Sequence, residues 1–75
     1  MKDQRALLNK CILNDIPAVV ITAKDVNSIK TLCVYIEQAK ENGCSDEFIK
    51  DFSEVINGFI SYQQEFPEKI KIPSL

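Results

Sequence analysis

Residues 45–66 read SDEFIKDFSEVINGFISYQQEF, and this stretch decides the fold. Ser45 stands where a helix N-cap belongs, and Asp46 and Glu47 follow in the first turn, where negative charge suits the amino end of the helix dipole. Phe48, Phe52, Val55, Phe59, Tyr62 and Phe66 recur at spacings of four, three, four, three and four, within about 80° of the helix circumference. Ile49, Ile56 and Ile60 form a second stripe about 100° around. Asp46, Lys50 and Glu54 alternate in sign one turn apart on the solvated side. Phe66-Pro67 ends the helix, because proline is tolerated after a terminus and not inside one.

Upstream, Gly43 follows Asn42 where a left-handed cap belongs, and Lys40 lies in the turn before it, so a second helix ends there. Val26, Ile29, Leu32, Cys33, Ile36 and Ala39 share about 140° of that helix, a core-facing stripe that leaves Val34 and Tyr35 outside. Thr22 or Asp25 is its expected N-cap. The Gly43-Cys44-Ser45 turn predicts an antiparallel helix hairpin, about 25–43 and 45–66.

Two flanks complete the chain. Residues 4–13, QRALLNKCIL, put Leu7, Leu8, Cys11 and Ile12 on one side of a short helix that Asp3 could cap and that must stop before Ile16-Pro17. Pro17 to Thr22 is rich in β-branched residues, and its unbroken apolar run predicts an extended segment buried on both sides. The tail EKIKIPSL alternates charge with isoleucine, which predicts a second short strand at 69–73. Segments 17–22 and 69–73 are expected at the same end of the hairpin, either paired as a minimal sheet or laid against it. The expected fold is therefore mainly α, one small domain over 1–75, with no repeat or low-complexity stretch.

Composition sets the limits on function. The 75 residues carry 9 basic and 11 acidic side chains, no His, and a net charge of −2, with 45% apolar and 27% charged residues. That is an ordinary globular composition, but a chain this short buries only about 60% of its unfolded surface, so its stability is marginal. Evenly mixed charge argues against a nucleic-acid surface, which needs clustered Lys and Arg, and no run is long or apolar enough for a membrane span or signal peptide. Three scattered cysteines without an export signal point to a reduced, cytoplasmic setting.

Catalytic chemistry finds little to work with. Without histidine, neither a Cys–His nucleophile nor a common zinc site can be assembled, and Gly43 and Gly58 are too far apart for a phosphate loop. Glu37 and Glu41 lie one turn apart, as solvated like charges often do, with nothing to bury and tune them. Cys11 and Cys33 are expected as core filler. Cys44 is the candidate reactive thiol, at a turn where the helix N-terminus favours a thiolate and Asp46 and Glu47 oppose it. No catalytic, cofactor or metal residues are expected, and the chain is read as non-enzymatic.

The aromatic helix offers more apolar surface than a hairpin partner can cover. Either the first helix and the extended segments cover the rest, or a second copy does. Leu7, Ile12, Val34 and Tyr35 are the candidate interface residues. The expected function is a non-catalytic protein-interaction module that binds a protein partner, including itself as a homodimer. The alternatives are a small-molecule or thiol-responsive regulator and a small accessory subunit of an enzyme complex.

Overall fold

The computed structural model describes residues 4–74, so the expected cap at Asp3 lies outside the described residues. Three helices, α1 (Gln4–Leu13), α2 (Ser28–Glu41) and α3 (Asp46–Glu65), are followed by a single 3-10 turn at Pro67–Lys69. The fold is mainly helical, and no strand forms among the described residues.

The α2–α3 connection follows from its residues. Gly43 adopts φ 77°, and with it the Cys44 amide donates to the Ala39 carbonyl at 3.0 Å and the Gly43 amide to Lys40 at 3.2 Å. These two bonds satisfy carbonyls that the helix end would otherwise leave open, the Schellman arrangement. Two residues on, the Ser45 hydroxyl accepts from the Phe48 amide at 3.1 Å and starts α3. α1 ends on the same pair of bonds, Ile16 amide to Cys11 carbonyl and Asp15 amide to Ile12 carbonyl, with Asp15 forced to φ 53°.

α2 and α3 run in opposite directions, since Ser28 at the start of α2 meets Gln63 near the end of α3 while Tyr35 stacks on Phe52 at 4.8 Å between ring centroids. Ile36, Phe52 and Ile56 form the buried centre, with Leu32, Phe48, Ile49 and Ile60 packed against it. Phe52 comes from the aromatic stripe of α3 and Ile56 from the isoleucine stripe. The helix thus turns the ridge between its two stripes inward, and each stripe stays half-buried at its outer edge. Burying side chains of this size contributes about 1.5–3 kcal/mol each, so three of them hold a helix pair and little more.

Five expectations are corrected. Segments 17–22 and 69–73 do not pair; the only bridge among the described residues is parallel, between Asp25 and Lys71, with Lys71 donating to the Lys24 carbonyl at 2.7 Å and Val26 to the Lys71 carbonyl at 3.0 Å. That bridge holds residues 24–26 out of helical geometry, so α2 begins at Ser28 rather than 25, and Val26 is exposed instead of in the core stripe. Neither Thr22 nor Asp25 is the N-cap: the position falls to Asn27, and the Asp25 carboxylate instead accepts from the Asn27 amide at 2.7 Å, closing an Asx turn ahead of the helix. Cys33 is exposed, because it lies at the edge of the α2 stripe farthest from α3. Segment 17–22 is also not buried on both sides, with Val19 81% and Val20 65% exposed.

Candidate functional site

The N-terminal part of the chain, α1 and the segment that follows it, leaves the most apolar surface open. α1 presents Leu7, Leu8, Cys11 and Ile12 on one side, yet none of its residues is buried, and no Cα of α1 comes within 8 Å of α2 or α3. Leu7, Ile12, Leu13, Ile16, Val19 and Val20 are each more than half exposed. Between α1 and residues 18–21 runs an open groove of about 500 Å³ lined by Arg5, Leu7, Leu8, Cys11, Val19 and Val20 among others. A second gap, of about 260 Å³, separates Val19 and Ile21 from Leu32, Phe52, Val55 and Phe59. Gln4 at the start of α1 lines the same gap, so Val19 and Ile21 lie loosely over the aromatic stripe of α3 and the rest of α1 extends away from it.

Beyond α1 the backbone is as open as the side chains. Pro17 has no N–H, and from Ala18 to Ile21 no backbone amide or carbonyl has a partner among the described residues. The carboxyl-terminal end of this N-terminal arm is tied down. Asp25 donates to the Thr22 carbonyl at 3.0 Å, and Gln63 Nε2 reaches from α3 to the Ala23 carbonyl at 3.1 Å, the Asp25 carbonyl at 3.4 Å and Ser28 Oγ at 3.3 Å. Ser28, fully buried, donates its own hydroxyl to the Asp25 carbonyl at 2.8 Å. Sequence reading missed this clamp; only the fold brings positions 28 and 63 together.

The consequence shows in the dimensions. The chain exposes 6217 Å², against about 4,700 Å² expected of a folded protein of its mass. Its radius of gyration is 13.6 Å, against about 11 Å for 75 compact residues.

The four candidate interface residues are all exposed but do not form one patch. Leu7 and Ile12 sit on α1, away from the helix pair; Val34 shares the outer face of α2 with Lys30, Glu37 and Glu41; Tyr35 lies at the α2–α3 edge, held by Phe52. Val34 is thus a lone apolar side chain on a charged face. Cys44 is exposed in the turn, and Cys11 is half-buried in the larger groove. Glu37 pairs with Lys40 at 3.3 Å and Glu41 accepts from Gln38 at 3.2 Å, so both carboxylates are engaged with ordinary surface neighbours. Among the described residues no three Cys, Asp or Glu side chains converge, and no helix is long and apolar enough to cross a membrane.

Compared with known protein families, curated proteins and solved structures, the chain matches none.

Proposed function

We propose that the chain is a non-catalytic protein-interaction module of the cytoplasm whose binding element is the N-terminal arm, residues 4–22. One observation carries this reading: the helix pair has its own core, whereas Leu7, Ile12, Leu13, Ile16, Val19 and Val20 of the arm stay open to solvent. Soluble chains rarely leave a continuous apolar patch of that extent without a partner for it. The absence of histidine and the ordinary surface pairing of Glu37 and Glu41 support a non-catalytic role. The test is a photoreactive residue placed at Leu7, with Lys30 on the charged face of α2 as control, crosslinked in cells. The expected result is a protein adduct at position 7 and none at position 30; equal yields at both would overturn it. An accessory subunit uses the same surface, and the mass of the adduct separates that case.

The larger groove favours one second reading, a regulator that binds a small apolar molecule or responds through a thiol. Its apolar lining and the half-buried Cys11 suit the former, and exposed Cys44 the latter. A ligand at a hundred times its Kd would stabilise the fold by about 2.7 kcal/mol, so a screen by thermal shift decides it.

A further inference from the structure

We propose that the partner of the arm is a second copy of this chain, and that the two copies exchange arms about a two-fold axis, the arm of each docking on the aromatic edge of the other's α3. The inference rests on the reading of residues 4–22 as the binding element and names its occupant.

Area is the first argument. The exposed surface exceeds that of a folded chain of this mass by about 1,500 Å². Two copies that bury this excess against each other remove about 3,000 Å², within the roughly 2,000–5,000 Å² of obligate homodimers and permanent hetero-complexes, so the area suffices for a stable dimer and the charges name the partner.

Charge says which surfaces meet. Among the described residues, the arm carries Arg5 and Lys10 against Asp15, a net +1, and Lys24 follows it. Residues 25–66 carry three lysines against eight carboxylates, a net −5. Arm against arm would set positive on positive, whereas arm against helix pair joins opposite signs. The placement is finer than the totals. On α1 the apolar side is bordered by Arg5 next to Ile12 and by Lys10 next to Leu7; on α3 the aromatic stripe is bordered, beside Val55 and Tyr62, by Glu47, Asp51 and Glu54. None of these five charges has an ion-pair partner within 4 Å among the described residues.

Steric room exists at the receiving edge. The gap of about 260 Å³ over Leu32, Phe52, Val55 and Phe59 is lined on its other side by the chain's own Gln4, Val19 and Ile21, so an exchanged arm takes the edge that the chain's own arm covers only loosely. The docking is reciprocal, as a two-fold interface requires: what arm one gives to helix pair two, arm two returns.

The test is the absolute mass of the full chain by light scattering over a concentration series in reductant, for three proteins: wild type, Arg5→Glu/Lys10→Glu, and Asp51→Lys/Glu54→Lys. The wild type is expected at twice the chain mass, and each double variant is expected to dissociate roughly tenfold more readily or worse, since like charges then face each other. Mixing the two variants is expected to restore a heterodimer, with circular dichroism confirming that each is folded. If one variant fails to fold, the other alone still decides. A wild type that is monomeric at every concentration overturns the exchange, as does a dimer indifferent to both substitutions. A monomer that still gives a crosslinked adduct with a different protein at Leu7 overturns only the self-pairing and leaves the interaction reading standing; a monomer with no adduct removes both.

Discussion

Replacing Gln63 by leucine removes the side chain whose hydrogen bonds, alone among the described residues, tie the end of α3 to the turn from which the arm departs. In the native chain its amide nitrogen faces the Ala23 carbonyl, the Asp25 carbonyl and Ser28 Oγ at 3.1, 3.4 and 3.3 Å. Asp25 keeps its bonds from the amide and hydroxyl of Ser28, so its carbonyl stays satisfied. The half-buried Ala23 carbonyl loses its donor, and the buried Ser28 hydroxyl loses the bond it accepts. An unsatisfied buried polar group costs about 1–3 kcal/mol, and the retained side-chain volume limits any cavity cost, so Gln63→Leu is expected to destabilise by about 2 kcal/mol. For a domain of this size that lowers Tm by roughly 8–16 °C. The assay is urea and thermal unfolding by circular dichroism at one fixed protein concentration, since association would make stability concentration-dependent. A double-mutant cycle with Ser28→Ala is expected to show a coupling of about 1 kcal/mol, because the two side chains share one bond. A loss under about 0.5 kcal/mol, or strict additivity in the cycle, would refute the clamp. Gln63→Glu adds a sign test. Only the protonated carboxyl can donate to Ala23, so its penalty is expected to be larger at neutral pH and to shrink as the pH is lowered.

The two glycines should respond to alanine with opposite signs. Gly43→Ala forces a left-handed residue at φ 77° and is expected to cost about 1–2 kcal/mol, whereas Gly58 sits inside α3 with nothing within 4 Å of an added Cβ and should gain about 0.5–1 kcal/mol; denaturant midpoints check both. Asp15→Gly relieves the strained φ of 53° at the end of α1 and should raise α1 helicity by about 1 kcal/mol of local stability, seen in amide exchange of residues 7–13 and not in the global midpoint. Alkylation should label the exposed Cys33 and Cys44 before the half-buried Cys11, and Cys44 no faster than a thiol in a short peptide; Cys11 reacting first would contradict the placement of α1.

Helix ends were legible because each rests on a local signal. Ser45 caps α3, Gly43 closes α2, Pro17 stops α1 and Pro67 stops α3, and each acts within a few residues of itself. The core centre was legible too, as Ile36, Phe52 and Ile56 sit on the periodic stripes. Where the reading failed, the deciding partner was distant in sequence. The bridge to Lys71 moved the start of α2 and exposed Val26, and nothing near Asp25 announces Lys71. β-branched residues at 17–22 signal a preference for extended backbone but supply no second strand, and within the described residues none is offered. The Ser28–Gln63 clamp spans thirty-five positions, with ordinary polar residues at both ends. The candidate surface was half legible: the α1 periodicity marks Leu7 and Ile12 as one apolar side, but periodicity names a face without naming its cover. Val34 drew notice for lying off the stripe, and its charged surroundings make it the weakest of the four.

The central claim, that the arm of one chain is an interaction element that seats on the helix pair of another, is tested most directly by isotope-filtered NMR on a mixture of labelled and unlabelled chains. Intermolecular contacts are expected from the methyl groups of Leu7 and Leu8 to the ring protons of Phe59 and Tyr62, at concentrations where the mass is twice that of one chain. If the complex shows intermolecular contacts only at other surfaces, or if those methyl groups meet the rings of their own chain alone, the account is contradicted.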